Sequence, residues 1–208
     1  MNDAPLLVAV VVVGYLLGSV PSGQIVGWLA GGVDLSQHGS GKTGTTNALR
    51  TLGWGAAAAV FFGDLAKGIA AVLLAHVLFG GHAAQHWAEV LAGFAAVLGH
   101  NWSIFIKLKG GRGVAVSMAI FYLICWPAAL LSTAIAVVVL LVSRFVSLAS
   151  LIGAVVGLVL LTAFVVWGST PVPYLVYGVL AAALIWLRHI DNIQRLLAGT
   201  ERKLGQRA

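Results

Sequence analysis

Long apolar segments are the feature that most restricts how this chain can fold. With a window of about 19 residues, six segments are found, at 4–28, 55–79, 87–106, 113–142, 148–167 and 172–187. Most of them are long enough to cross a hydrocarbon layer of about 30 Å as a helix. Hydrophobic residues make up 60% of the 208 residues and charged residues only 9%, against about 25% in an ordinary soluble domain. A water-soluble fold could not hide this much apolar surface, so we predict an all-α integral membrane protein.

The segment 113–142 is long for one span and short for two, and proline at Trp126-Pro127 is expected to break or kink it. The positions of lysine and arginine resolve this ambiguity, because these residues concentrate in cytoplasmic loops. Two short helices of about 14 residues each give seven spans and leave the predicted outer loops without lysine or arginine. A six-span arrangement would instead place Arg144 and the basic C-terminus outside. In the seven-span arrangement the inner cations are Lys42, Arg50, Lys107, Lys109, Arg112, Arg144, Arg188, Arg195, Arg202, Lys203 and Arg207.

The predicted architecture is therefore one membrane-embedded domain, 1–208, with seven transmembrane helices, two of them short. The N-terminus lies outside and the C-terminus inside, and the first apolar segment is a retained span, because no basic stretch precedes it. Asp64 and Lys67 stand one helical turn apart within the second segment, where charges are costly. We expect them to form a structural pair that braces a functional site.

Two of the predicted inner loops combine glycines with cations, in HGSGKTGTTNALR (38–50) and KLKGGRG (107–113). Glycine lets backbone N–H groups approach an anion closely, and lysine or arginine supplies the countercharge. These loops predict a phosphate-bearing ligand at the inner face. GSGKT resembles the end of a nucleotide-binding loop, but Ser36 stands where the first glycine is required and no strand precedes it. We therefore predict no nucleotide and no nucleic acid as ligand.

Six separated stretches together resemble the bacterial PlsY-type family of acyl-phosphate:glycerol-3-phosphate acyltransferases. They are GSVPSG (18–23), GSGKTGTTNALR (39–50), GDLAKG (63–68), GH with KGGRGVA (99–115), SRFVSLAS (143–150) and RHIDNIQRLLAGTERK (188–203). The resemblance implies seven transmembrane helices in the bacterial inner membrane, with the active site on the cytoplasmic side. It implies transfer of a fatty acyl group from acyl phosphate to the sn-1 hydroxyl of glycerol 3-phosphate. The products would be lysophosphatidic acid and phosphate, in the first acylation of phospholipid biosynthesis, with membrane lipid as surroundings.

The resemblance also implies roles for individual residues. Lys109, His189 and Asn192 are the implied catalytic residues. The implied glycerol 3-phosphate ligands are Ser40, Arg50, Lys109, Ser147, His189 and Asn192, with Arg50 and Lys109 on the phosphate. The implied acyl-phosphate cradle comprises Gly39, Gly41, Gly44, Thr46, Asn47, Gly110 and Gly111.

Several points stay open at the level of sequence. Lys42 stands where the family usually has asparagine, and its role is undecided. The hydroxyl proton would pass to His189 or to a phosphate oxygen of a substrate, and the resemblance favours the latter route. No metal and no cofactor is predicted. A small transporter of phosphate esters or other anions is the alternative function, and a non-catalytic membrane adaptor is a further one.

Overall fold

The structure is a computed structural model that describes residues 3–206, and its regular elements are helices. Within these residues no β-strand occurs, as the apolar segments predict. The α-helices are α1 (Ala4–Ser19), α2 (Ser22–Leu29), α3 (Thr45–Leu52), α4 (Trp54–Phe79), α5 (Gln85–Asn101), α6 (Val114–Ile124), α7 (Trp126–Ser143), α8 (Val146–Val166), α9 (Pro173–Arg188) and α10 (Ile190–Leu197). Two 3-10 helices cover Leu35–Gln37 and Ile104–Ile106. Arg207, a predicted inner cation, falls outside the described residues.

Five helical stretches are long and apolar enough to cross a membrane. They are Ala4–Leu29, Trp54–Phe79, Gln85–Ile106, Trp126–Ser143 and Val146–Val166, and the pair α9 and α10, bent by 57°, makes a sixth if counted as one span. These positions agree with the apolar segments of the sequence. The chain is thus a multi-pass membrane protein with an all-helical fold. The seventh crossing and the orientation of the termini stay predictions.

The segment 113–142 does break at its middle, where α6 ends at Ile124 and α7 begins at Trp126. Proline occupies the first turn of α7, where a backbone N–H would have no acceptor within the helix, so its missing N–H costs no hydrogen bond. The two helices have 11 and 18 residues, so the expectation of two equal helices of about 14 residues was wrong. At 1.5 Å per residue, α6 alone covers about 16 Å, roughly half of a hydrocarbon layer.

The chain divides into two compact units, and each is described separately. The first covers the described residues up to Ile120, and α5 packs there against α1 and α4. Small residues line the α1–α5 contact: a Cβ on Gly18 would lie 2.0 Å from the carbonyl oxygen of Ala96. Such close backbone approach is typical of helix pairs in membranes. The hydrophobic effect does not drive helices together there, and small residues allow the close van der Waals packing that does.

The second unit extends from Phe121 to Gln206. Here α8 packs against α7 and α9, and α10 contacts both α8 and α9. Large apolar side chains face outward along these helices, among them Leu141 and Val142, which are 73% and 82% exposed. Lipid solvates such side chains without cost, so this surface agrees with membrane insertion.

Candidate active site

Asp34 organises the start of the loop that joins α2 to α3. Its carboxylate accepts hydrogen bonds from the Gln24 side chain and from the backbone N–H and hydroxyl of Ser36, the last two at 2.8 and 2.7 Å. The bond from Gln24, followed by those from Ser36, holds the pKa of Asp34 well below its usual range. The ionised carboxylate thereby ties the 3-10 helix Leu35–Gln37 to α2.

Asn47 closes the rest of this loop from the first turn of α3. Its side chain is buried, and its amide donates to the carbonyl oxygens of Leu35, His38 and Lys42 at 2.9, 3.0 and 2.8 Å. The Asn47 side-chain oxygen accepts a hydrogen bond from the backbone N–H of Ser40 at 3.0 Å. One amide group has two N–H donors, so these partners already occupy it fully. Asn47, a predicted acyl-phosphate ligand, here holds the loop's own backbone.

Two glycines of the same loop have backbone angles that other residues rarely adopt. Gly39 and Gly41 have φ values of 59° and 67°, in the left-handed region. Gly44 then caps α3, whose first turn begins with Thr45 and Thr46. The first N–H groups of a helix have no acceptor within the helix, so this turn is suited to an anion. The predicted cradle residues Gly39, Gly41, Gly44 and Thr46 therefore lie in one continuous stretch, which comprises the loop 39–44 and the first turn of α3.

The predicted phosphate cations of the first unit differ in exposure. Arg50 lies in the last turn of α3 and is partly buried, as are Ser40 and Thr46. Lys109 is exposed and lies on the loop between α5 and α6. An exposed lysine head on a fixed backbone can meet a phosphate as a point charge.

The loop between α5 and α6 is a tight turn with unusual backbone geometry. Lys107 and Leu108 have left-handed φ values of 54° and 59°, which is uncommon for residues other than glycine. Gly110 and Gly111 follow Lys109 and are both buried. A Cβ on Gly110 would lie 2.2 Å from the carbonyl oxygen of His100, so only glycine fits there.

Three charged or titratable side chains meet beneath these loops. Lys67 Nζ lies 2.9 Å from Asp64 Oδ1, which confirms that these residues pair, and His100 Nδ1 lies 3.4 Å from the same oxygen. All three are buried, and they border a narrow crevice of about 180 Å³, counted with its opening. The polar lining of this crevice comprises Ser19, Ser22, Thr43, Asp64, Lys67, His100 and Ser103.

Glu201 organises the polar cluster of the second unit. Its carboxylate accepts hydrogen bonds from Ser147 at 2.8 Å, Asn192 at 2.7 Å and Arg195 at 2.7 Å. Burial by itself raises the pKa of Glu201, but the bonds from Asn192, Ser147 and Arg195 outweigh it and lower the pKa below the ordinary value. The predicted ligands Ser147 and Asn192 are thus held together by a third residue.

His189 lies at the junction of α9 and α10 and is buried. Its Nδ1 is 2.8 Å from the carbonyl oxygen of Ile185. A carbonyl only accepts, so Nδ1 carries a proton, and in the neutral ring the lone pair is at Nε2. This contact fixes the orientation of the ring.

The predicted site residues thus fall into two groups. The first unit holds Ser40, Arg50, Lys109 and the cradle glycines, and the second unit holds Ser147, His189 and Asn192. Two further residues, His100 and Glu201, received no role from the sequence, although both lie in the stretches that carry the family resemblance. Glu201 is the one acidic residue of the basic stretch 195–203, and that isolation was an available signal.

The helical fold and the apolar spans define a multi-pass membrane protein whose loops combine glycines with cations. A model of the glycerol-3-phosphate acyltransferase family matches residues 8–199. A glycerol-3-phosphate acyltransferase of Gloeobacter violaceus is 42% identical over 204 residues, which cover 98% of each chain. One of Parasynechococcus marenigrum is 44% identical over 196 residues, which cover 94% of this chain and 89% of the relative.

Two crystal structures of PlsY, an integral membrane glycerol 3-phosphate acyltransferase, have the same fold. The glycerol 3-phosphate form matches with a TM-score of 0.86 and the lysophosphatidic acid form with 0.85. Each is 36% identical and covers 96% of this chain, and the alignments cover 96% and 95% of the two PlsY chains. The present chain belongs to the glycerol-3-phosphate acyltransferase family. The family and the acyltransferase class predicted from the six stretches are therefore confirmed.

Proposed function

We propose that this enzyme transfers a fatty acyl group from acyl phosphate to the sn-1 hydroxyl of glycerol 3-phosphate. The observation that carries the proposal is the match to PlsY in two forms, one with the acceptor glycerol 3-phosphate and one with lysophosphatidic acid. In the reaction the hydroxyl oxygen bonds to the acyl carbon, and the bond from that carbon to the phosphate oxygen breaks. Lysophosphatidic acid and phosphate result. The reaction would be the first acylation of phospholipid biosynthesis.

The proposed topology has seven transmembrane helices in the bacterial inner membrane, with the N-terminus outside and the C-terminus inside. The absence of lysine and arginine from the predicted outer loops supports it. The break at Cys125 supports separate α6 and α7 crossings. The short α6 would then require a locally thin bilayer or cover by other helices. Both glycine loops face the cytoplasm in this arrangement.

Two dianionic substrates must meet in this reaction, so their mutual repulsion has to be offset. We assign Arg50 and Lys109 to the phosphate of glycerol 3-phosphate, with Ser40 as a further ligand. Arg50 is partly buried and can form two parallel bonds, while Lys109 is exposed on the tight turn between α5 and α6. Bound cations of this kind bring the reactants together and stabilise charge as it develops on the departing phosphate.

The glycine loop 39–44 and the turns at Thr46, Gly110 and Gly111 form the proposed cradle for acyl phosphate. Left-handed Gly39 and Gly41 direct the loop's backbone groups, and the first turn of α3 adds N–H donors. Asn47 serves this cradle indirectly, because its amide bonds three carbonyl groups of the loop. Its proposed role is therefore to hold the cradle's shape.

We assign Ser147, His189 and Asn192 of the second unit to the binding of glycerol 3-phosphate. The orientation of the His189 ring leaves Nε2 as the atom that can take the hydroxyl proton. The second route passes this proton to a phosphate oxygen of a substrate, and His189 then orients the hydroxyl. Asn192 donates to Glu201, and its buried side-chain oxygen has no hydrogen-bond partner among residues 3–206, so it can accept from a substrate hydroxyl.

The proposal is tested with purified enzyme, palmitoyl phosphate and glycerol 3-phosphate, by measuring phosphate release. Release is expected only when both substrates are present. Lys109→Ala and Arg50→Ala should each lower kcat/KM at least about tenfold, because each removes a charge-assisted contact of about 1.5–3 kcal/mol.

A matched control is Lys203→Ala, which removes an exposed cation outside the proposed site. It should leave the rate within about twofold of wild type. Absence of release that depends on both substrates would contradict the proposed function. Near-wild-type rates in both Lys109→Ala and Arg50→Ala would contradict the phosphate assignment alone.

A further inference from the structure

We infer that His100 is a positioning residue that fixes the turn carrying Lys109, and with it the affinity for glycerol 3-phosphate. His100 is the last-turn histidine of α5, and its side chain is 6% exposed. The inference rests on the proposed function, because Lys109 is there a ligand of the substrate phosphate.

One edge of the His100 ring is anchored inside the helices of the first unit. His100 Nδ1 lies 3.4 Å from Asp64 Oδ1 on α4, and Lys67 Nζ lies 2.9 Å from that oxygen. Lys67 also donates a hydrogen bond of 3.0 Å to the carbonyl oxygen of Val20, at the break between α1 and α2. Since all three side chains are buried, these contacts are little screened by water. The ring orientation is thereby fixed relative to α4 and to the α1–α2 break.

The opposite edge of the ring supports the loop. A Cβ on Gly111 would lie 2.1 Å from His100 Nε2, so the backbone of the turn rests directly on the imidazole. The Gly111 N–H donates a hydrogen bond of 3.2 Å to the His100 carbonyl oxygen. A Cβ on Gly110 would lie 2.2 Å from that same oxygen. Gly110 therefore contacts the His100 backbone, whereas Gly111 contacts both the backbone and the ring, so Gly111 is the point at which the side chain supports the turn.

Lys109 itself has no such packing. Its side chain is exposed, and its backbone is fixed through the neighbouring glycines and a hydrogen bond from its N–H to the Ile106 carbonyl oxygen at 3.1 Å. A displacement of the turn would therefore move the ammonium group of Lys109 by a similar distance. A shift of about 1 Å in a positioning element can lower a rate about a hundredfold. His100 thus links the buried Asp64–Lys67 pair to the proposed phosphate ligand without touching substrate.

The test compares His100→Ala and His100→Asn with wild type, in steady-state assays that vary each substrate separately. Asparagine keeps a polar group near Nδ1 but removes the far edge on which Gly111 rests. Both variants should raise KM for glycerol 3-phosphate about tenfold or more. KM for acyl phosphate should rise as well, because Gly110 and Gly111 of the same turn belong to the proposed cradle. A purely structural role would lower the amount of folded enzyme and leave both KM values unchanged.

His76→Gln is the matched control, because His76 is also a histidine of the first unit that contacts a buried carboxylate. Its Nδ1 lies 2.7 Å from Glu89 Oε1, and His76 is near the far end of α4 from Asp64. This variant should retain both KM values. An unchanged KM for glycerol 3-phosphate in folded His100→Ala and His100→Asn would overturn the inference.

A double-mutant cycle keeps the test decisive if His100→Ala folds poorly. Gly111→Ala places a methyl group against the ring and should raise KM for glycerol 3-phosphate sharply. Combined with His100→Asn, which removes the clashing edge, it should cause no further loss, so the two effects are strongly non-additive. Simple additivity would overturn the inference. If the wild-type enzyme shows no turnover with both substrates present, the proposed function itself is contradicted.

Discussion

At the scale of single residues, one carboxylate links distant parts of the second unit. Glu201 follows α10 but bonds Ser147 at the first turn of α8, 54 positions earlier in the chain. It also bonds Asn192 and Arg195 on α10. Two of these partners are proposed ligands of the acceptor substrate. Glu201 therefore sets the spacing of two proposed substrate ligands, although it is not itself proposed to contact the substrate.

Replacing Glu201 by glutamine should destabilise the protein in a pH-dependent way. The folded-state pKa of Glu201 lies below the ordinary value of 4.5, so the ionised carboxylate stabilises the fold above that pH. This stabilisation is lost as the pH falls through the folded-state pKa. At pH 7 the variant should lose about 1.5 kcal/mol or more of unfolding free energy, the contribution of one charge-assisted bond.

The measurement is thermal unfolding in detergent, for wild type and Glu201→Gln, at several pH values from about 7 to about 3. The difference between the two midpoints should narrow as the pH falls below 4.5. Asp191→Asn is the control, since Asp191 is an exposed acid on the same helix as Asn192 and Arg195. A difference that stays constant with pH would show that the charge of Glu201 is not what stabilises the cluster.

At the scale of elements, the contact between α1 and α5 depends on glycines of α1, which have no side chain to separate the two helices. Gly14 and Gly18 lie one turn apart on α1, and a Cβ on either would lie within 2.5 Å of a carbonyl oxygen of α5. The helices can therefore approach until their backbones touch. This approach holds the C-terminal end of α5, which carries His100, beside the end of α1.

Gly18→Ala should destabilise the first unit by about 1–3 kcal/mol, the usual penalty of an overpacked interface. The added methyl would lie 2.0 Å from the Ala96 carbonyl oxygen, which is backbone and cannot rotate away. Thermal unfolding in detergent measures the effect.

Gly55→Ala provides the comparison, because a Cβ at this position near the start of α4 would have no atom within 4 Å. Alanine favours helix over glycine by about 1 kcal/mol, so this variant should be neutral or slightly stabilised. Equal midpoints for the two variants would mean that α1 and α5 are not closely packed at Gly18.

At the scale of the whole molecule, the number of membrane crossings decides which loops can share a site. Five helical stretches, or six with the bent pair, are long enough to span, and α6 is shorter. If α6 and α7 each cross, the basic loops all face the cytoplasm. If they cross together as one span, Arg144 and the C-terminal cations face the opposite side from Lys109.

Single cysteines introduced into a Cys125→Ala background should report this topology in intact cells. His82→Cys and Ser169→Cys are expected to react with a membrane-impermeant maleimide. These residues lie in the loops between α4 and α5 and between α8 and α9, which the seven-span arrangement places outside. Gln37→Cys and Lys203→Cys should react only after permeabilisation. Labelling at position 203 in intact cells would contradict seven spans, and the permeabilised sample controls for accessibility.

Much of the fold could be predicted from the sequence because hydropathy acts locally. Each apolar segment must be helical in lipid, since a backbone without internal hydrogen bonds cannot lie there. The proline at residue 127 also indicated the break before α7, although the lengths of 11 and 18 residues were not foreseen. Helix ends depend on packing against neighbours, and no window over one segment contains that information.

The sequence by itself determined membrane insertion, the helical class, the glycine and cation loops, and the family. Tertiary structure decided how the residues of those loops are used. Asn47 is a predicted ligand of acyl phosphate, yet in the structure its side-chain amide donates hydrogen bonds to carbonyl groups of its own loop. His100 and Glu201 lie in the stretches that carry the family resemblance, but the sequence assigned them no role. Their roles follow from the contacts that the structure shows. The physical reason is that a hydrogen bond depends on distance in space, and these partners come from separate helices and loops.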